Sequence, residues 1–423
     1  MVGHDNNRGN IGLLRSITRF VIIHDSAITG IIIIAIAIVL ISTILAIENT
    51  LFQIFCVVIG FLVAQLFTRG YYLLLSIKEE SLKLTEGGYP YDPDTNTVKV
   101  SIGDHSTTEW YLPIVRNGSE IKELIVDDHP DESFSVNTFI QCNSSKLMTA
   151  HKTSFFTNAD MYRLADVNIE DGNVTLSTMR TTFFNDLVTN RAMDYVISGH
   201  ITLRGIYEYR RQLTPLPNSQ MSNHIGINTL VFFGDEIILL RKGNNATMSK
   251  DKIVSAEAFG MRDADVMHLK DDDVLESEDI LYRVPLFKLS SLFSDGSEKL
   301  GDEKICSLYE SGRIKVYFLG FGRLIYTGGK PQFYYAVCVD PDSGLKPKLL
   351  NDRAKHYSTL YATHRFDLVR DGSKKIVFKD SWKGKKIKCN VEDSFLVNCW
   401  QLSQNPGLED VPEWFYRTIH HEG

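Results

Sequence analysis

A guanidinium is the side chain best shaped to hold a phosphate, because its planar fork donates paired hydrogen bonds to one anion. Four short segments place basic or amide groups where such a grip is conceivable: Thr189-Asn190-Arg191, Asn223-His224, Arg241-Lys242, and Arg323 in the run Gly-Phe-Gly-Arg. Phe183, Phe184 and Tyr326 are the aromatics that would stack on a base, and Glu257 is the acid of the same region. Each has an ordinary alternative. Arg191 and Arg241 serve equally as surface or ion-pair residues, the phenylalanines as core, His224 as a hydrogen-bonded structural residue, and Glu257 as a solvent-facing strand residue. The sequence lacks a G-x4-G-K-[ST] phosphate loop, H-E-x-x-H, C-x-x-C and G-x-S-x-G, so the chemistry those motifs support is not expected. No catalytic residue, metal or cofactor is expected; the ligand-binding candidates are Asn190, Arg191, Asn223, His224, Arg241, Lys242, Glu257 and Arg323.

The elements that would position these groups follow from pattern. Ile225 to Leu240 reads as two strands joined at Gly234-Asp235, a tight-turn pair. The polar loop Arg241 to Asn245 follows, then a short strand ending at Gly260. Ile305 to Glu310 has helical character and ends at Ser311-Gly312; strands recur at Lys315 to Gly320 and at Gln332 to Val339, after the turn Gly328-Gly329-Lys330-Pro331. Upstream, the alternating runs Val98 to Ile102 and Phe134 to Cys142 suggest strands, Asn168 to Asn173 a turn, and Thr181 to Ile197 a helix burying Phe184, Leu187, Ala192 and Val196. Asp92 to Thr97 begins like a calcium loop but lacks its glycine and closing glutamate, and reads as a turn. Downstream, His356 to Val369 reads as a helix and a strand. The segment Lys374 to Lys388, with seven lysines, reads as a basic strand pair, solvated or facing an anionic headgroup or nucleotide. Phe395 to Trp400 and Pro412 to Tyr416 read as packing elements.

The first eighty residues are of another kind. Ala27 to Ile47 carries no charge, Glu48-Asn49-Thr50 breaks it, and a second apolar run extends from Leu51. A bilayer-spanning helix needs ~20 apolar residues, so spans of about 27–47 and 51–71 are expected. The first run is too long for a cleaved signal and is followed at once by the second. Basic residues Arg8, Arg15, Arg19, Arg69 and Lys78 flank the pair, so both termini would be cytoplasmic. The six cysteines show no paired spacing, as suits reduced, structural thiols, and the net charge of −7 gives no overall nucleic-acid footprint. Expected domains are 1–80 (membrane hairpin), 81–160 (strand-rich), 161–341 (ligand-binding) and 342–423 (C-terminal extension).

The order strand–turn–strand, Arg-Lys-Gly loop, Gly-ended strand, helix ending Glu-Ser-Gly, then FLGFGRLIYTGGKPQFYYAVCV resembles the Nudix fold, over roughly Met161 to Pro341. The resemblance implies that phosphates lie near Arg241 and Lys242. Nudix hydrolases need several glutamates on one helix to hold magnesium. Aligned on Gly312, those positions here fall on Ile305, Cys306, Ser307, Leu308, Tyr309 and Glu310, of which only Glu310 is a carboxylate; aligned on Gly260, the expected glutamate is Val266. The expected fold is therefore α+β: an N-terminal two-helix transmembrane hairpin plus a cytoplasmic Nudix-like α/β/α sandwich with strand-rich flanking segments.

A degenerate Nudix domain behind a membrane hairpin resembles the transmembrane–Nudix effectors of cyclic-oligonucleotide (CBASS) anti-phage systems. That resemblance implies a cyclic di- or oligonucleotide ligand, a homo-oligomer on activation, the lipid bilayer as target, and a cognate cGAS-like nucleotidyltransferase as ligand source. It also implies a two-pass protein of the bacterial inner membrane. Two alternatives stand beside it: a membrane-tethered Nudix-type hydrolase with an unorthodox metal site, and a membrane toxin restrained by a partner protein.

Overall fold

The computed structural model describes residues 97–102, 105–151, 158–199, 201–208, 213–243, 251–262, 277–296, 300–348, 359–368 and 375–420. The chain divides into two compact units. The larger, 84–141 with 154–423, holds the sheets and the candidate site; of the other, the described part is Cys142–His151, a helical stretch ending in a 3-10 turn.

Seventeen strands occur among the described residues. The first nine are β1 (Val98–Ile102), β2 (His105–Val115), β3 (Glu123–Ser133), β4 (Asp160–Glu170), β5 (Asn173–Thr182), β6 (Gly226–Phe233), β7 (Glu236–Arg241), β8 (Lys252–Ser255) and β9 (Glu257–Gly260). They are followed by β10 (Phe293–Ser294), β11 (Ile314–Leu324), β12 (Lys330–Val339), β13 (Lys346–Pro347), β14 (Thr359–Thr363), β15 (Phe366–Leu368), β16 (Lys375–Lys379) and β17 (Lys386–Val391). The helices are α1 (Thr138–Leu147), α2 (Phe183–Val188), α3 (Leu203–Tyr207), α4 (Ser277–Phe287), α5 (Leu289–Leu292), α6 (Asp302–Glu310), α7 (Asp393–Ser403) and α8 (Glu413–His420).

Twelve strands form one mixed sheet in the order β1-β2-β11-β12-β6-β7-β8-β17-β16-β15, with β14 added on β7 and β9 on β6. Only β12–β6 and β17–β8 are parallel. β6 and β7 begin as a hairpin across Gly234-Asp235, then splay apart. The segment 252–260 fills the wedge: β8 pairs with β7, and after Ala256 the chain crosses to pair β9 with β6. β3, β5 and β4 form a separate three-stranded sheet, turned at Asp171-Gly172, both in the left-handed region.

Alternation along the central strands sends side chains to two opposite layers. Leu230, Phe232, Tyr334 and Ala336 meet Phe395, Cys399 and Leu402 of α7 and Phe415 of α8. On the other face, Ile227, Phe333 and Tyr335 meet Leu281 and Val284 of α4 and the small sheet, while Val231, Val337 and Val339 meet Ile305 and Leu308 of α6. From α7, Gln401 donates to the carbonyls of Val115 and Leu319 at 3.0 and 2.9 Å. Asn405 donates to Leu319 O at 2.8 Å and accepts from Gly118 N at 3.0 Å. These amides hold the β11 irregularity at Gly320 (φ 134°), where a Cβ would strike Gln401 and the Val115 carbonyl.

Several expectations are corrected. Among the described residues the fold is a mixed α/β arrangement around one broad strand-rich sheet, not a sandwich flanked by separate strand-rich segments. β1 and β2 from the N-terminal side and β14 to β17 from the C-terminal side belong to the same sheet as β6 and β12. No helix among the described residues is long and apolar enough to cross a membrane. The longest have 11 residues, about 16 Å at 1.5 Å per residue against a hydrocarbon core of ~30 Å. The spans assigned to 27–47 and 51–71 lie outside the described residues, so the two-pass inner-membrane localisation has no structural support and is withdrawn. Asp92–Asn96 of the calcium-like turn and most of the acidic run 271–279 lie outside as well. The stretch Phe134 to Cys142, expected as a strand, leads instead into α1, because Asn137 Oδ1 accepts from Ile140 N at 3.0 Å and starts a helix. The helix expected over Thr181 to Ile197 stops at Val188, after a Thr182 cap, and continues as a 3-10 turn at Asn190–Ala192.

Candidate functional site

Three chain segments converge at the N-terminal ends of β6 and β12. α2 brings Asp186 and the 3-10 turn brings Arg191; His224 stands two residues before β6; the first residue of β12 is Lys330. Asp186 is fully buried, His224 and Lys330 nearly so. Arg191 Nε meets Asp186 Oδ2 at 2.9 Å. Lys330 Nζ lies 2.6 Å from His224 Nε2 and 3.7 Å from Asp186 Oδ2. His224 Nδ1 faces Asp186 Oδ1 at 3.2 Å, within ion-pairing reach though not aligned as a hydrogen bond. The tautomer that suits both contacts carries its proton on Nδ1, leaving Nε2 to accept from the lysine.

Local sequence explains the convergence. Gly328 and Gly329 occupy the left-handed region (φ 58° and 72°) and reverse the chain into Lys330. Asn190 fastens that turn, donating to Thr327 O at 3.0 Å and Gly328 O at 3.3 Å, and accepting from Asn223 N at 2.8 Å. Arg323 donates to Gly329 O and Thr214 O, both at 2.8 Å. Arg204 donates to Ile325 O at 3.0 Å and Tyr326 O at 2.9 Å while pairing with Asp194 and Glu208. On β9, Gly260 leaves room for the imidazole: a Cβ there would lie 2.9 Å from His224 Nε2.

Burial and charge pull against each other here. Burial raises the Asp186 carboxyl, but His224, Lys330 and Arg191 together outweigh it and hold it well below the usual range. Burial brings His224 down to about 4, so it is neutral at pH 7. Burial, helped by Arg191, brings the Lys330 amine down to about 7, against the opposing pull of Asp186. At neutral pH the cluster is thus one carboxylate, one guanidinium and a lysine near half-charge, and Glu392 adds a nearby acid that acts on both Arg191 and Lys330.

The eight sequence candidates separate. Asn190, Arg191, Asn223 and His224 come together, and Arg323 joins them through the Gly329 carbonyl. Asn190 and Arg323 bind backbone carbonyls, which identifies them as clamps. Arg241 ends β7 and pairs with Asp251 at 2.9 Å, with Lys242 beyond it; neither is among the groups around Asp186. Glu257 is buried on β9 opposite Thr229, not solvent-facing. Of the aromatics, half-buried Phe183 tilts toward His224 with ring centroids 6.2 Å apart. Asp186 and Lys330 were not among the candidates. Their signals were a carboxylate in the largely apolar run Phe-Phe-Asn-Asp-Leu-Val and a lysine opening a strand whose later residues, Phe333 to Val339, are apolar or aromatic.

On α6, Ile305 and Leu308 face the core and Glu310 is exposed. Among the described residues no three His, Cys, Asp or Glu side chains gather as a metal site. No family model matches this chain, and no curated protein does.

Proposed function

We propose that this protein is a receptor for a phosphate-bearing small molecule of the cyclic di- or oligonucleotide class, held at the Arg191 side of the Asp186 cluster. The observation that carries this reading is the commitment of Arg191. Its Nε is engaged by Asp186, its terminal amino groups have no hydrogen-bond partner among the described residues, and its side chain is 18 % exposed. A guanidinium already oriented by a buried carboxylate, with its outer donors turned to solvent, is prepared for a phosphate. The half-buried Phe183 ring offers a face for a base. The resemblance to Nudix-like anti-phage effectors extends the proposal: ligand would drive self-association, and a cognate cGAS-like nucleotidyltransferase would supply it. Ligand can do so only to the extent that it binds the assembled state more tightly.

The test mixes the full chain with cyclic di- and trinucleotides, ADP-ribose and nucleoside diphosphates, with and without magnesium, and follows melting temperature, particle mass and nucleotide mass. One cyclic nucleotide should stabilise the protein and remain intact. Arg191→Ala should weaken that response at least tenfold, a charge-assisted hydrogen bond being worth ~1.5–3 kcal/mol, while Arg241→Ala should keep it. An undiminished response in Arg191→Ala would remove the assigned site. Magnesium-dependent loss of a nucleotide would replace the receptor with a hydrolase.

A further inference from the structure

We infer that the β16–β17 hairpin is a docking surface for the phosphate backbone of a nucleic acid, bound without reading its sequence. The inference does not rest on the receptor reading above. The hairpin buries Ile376, Phe378, Cys389 and Val391 in the core, so the alternate positions Lys375, Val377, Lys379, Lys386, Lys388 and Asn390 point the other way. Lys379 and Lys386 are direct cross-strand partners, an arrangement that is destabilising between like charges unless an anion lies across them. Lys383 and Lys385 extend the same charge around the turn, and all four of these lysines are exposed. None of the four has an ion-pair partner among the described residues. The single acid between Lys375 and Lys388 is Asp380, which is buried and accepts from Trp382 N at 3.2 Å.

The tip is built rather than loose. Asp380 N donates to Lys385 O at 2.9 Å, Gly384 N to Asp380 O at 2.8 Å, and Ser381 N to Ala362 O on β14 at 2.8 Å. β17 pairs with β8 only at Asn390 and Val391, and β15 lines the other side of the hairpin along Ile376 to Phe378 of β16. The outward positions supply ammonium point charges, with no arginine fork to read base edges. They offer no apolar wedge for a bilayer either, since Trp382 packs inward on the core that holds Leu360 and Ala362. Contacts to phosphate alone give affinity without sequence preference and with strong salt dependence.

The experiment uses the full chain and a fluorescent mixed-sequence duplex of about 20 bp, with polarisation followed from about 50 to 200 mM salt. Wild type should bind with an affinity that falls steeply with salt and is equal for unrelated sequences. The triple variant Lys383→Gln, Lys385→Gln, Lys386→Gln should melt as wild type, bind at least tenfold more weakly at low salt, and lose about 2–3 from the slope of log K against log salt. No binding at low salt, unchanged binding by the folded triple variant, or capture by phosphatidylserine vesicles but not by the duplex would each overturn the inference.

Discussion

Two regions concentrate positive charge, and they differ in what surrounds it. Around Asp186, three basic side chains meet one carboxylate inside the core, and every member is held within 4 Å of another. On the β16–β17 hairpin, four lysines stand in solvent without an ion-pair partner among the described residues. Burial makes the first region expensive to disturb and able to shift protonation. Exposure makes the second cheap to mutate and sensitive to salt. The same kind of charge is thus integral to the fold in one place and available to a partner in the other.

The largest effect expected from breaking this contrast is at Asp186. Asp186→Ala leaves Arg191 and Lys330 buried beside His224 without their carboxylate, and should cost about 3–5 kcal/mol in denaturant unfolding. A combined Asp186→Leu and Lys330→Met variant should recover part of that loss, because a buried pair replaced by apolar groups is often tolerated. A loss below about 1 kcal/mol for Asp186→Ala would mean that water reaches the cluster freely.

A second test is the pH dependence of stability. Lys330 binds its proton less well folded (about 7) than unfolded (10.5), so the unfolded chain holds more protons between those values and stability from this group rises with pH across that window. His224 acts in the same direction between about 4 and its ordinary 6.5. Lys330→Met should therefore flatten the rise above pH 7 and leave the acid limb. Buried thiols raised by burial, such as Cys338 and Cys399, pull the other way above about 9, so the decisive quantity is the difference between the two profiles: wild type and Lys330→Met running parallel from pH 7 to 9 would contradict the depressed amine.

Asn190→Ala should follow, at about 1–3 kcal/mol, by stranding the carbonyls of Thr327 and Gly328 and the amide of Asn223. The smallest effect belongs to the hairpin. Lys386→Glu places opposite charges across from Lys379 and should stabilise by roughly 0.2–1 kcal/mol at low salt, fading as salt is added. Destabilisation there would show that the lysine stems, not their charges, are what the hairpin needs.

Local signals were the legible part of this molecule. The turn at Gly234-Asp235, the hairpin at Asp171-Gly172, the basic strand pair and the helix before Gly312 are each specified within a few residues, and each is where the sequence placed it. The stretch from Phe134 was misread because its alternation suits a strand while one asparagine cap decides for a helix. α7 was read only as packing, since a helix buried on most sides loses its amphipathic period. In the site, neighbours in sequence such as Asn190 with Arg191 and Asn223 with His224 were found together. Lys330 was not, because its partner His224 lies 106 residues away and nothing local announces a contact of that range.

Two amides, Gln401 in α7 and Asn405 just after it, set a condition on how the chain is made. Gln401 reaches Val115 across 286 residues, and Asn405 reaches Gly118 across 287. At ~5–20 residues per second of synthesis, β2 waits roughly 15–60 s for the side chains that fasten it to β11. During that interval the carbonyls of Val115 and Leu319 lack the donor that Gln401 provides. Assembly of this sheet is consequently late and non-local, and a ribosome stalled before residue 401 would present an unfinished sheet to whatever chaperone attends it.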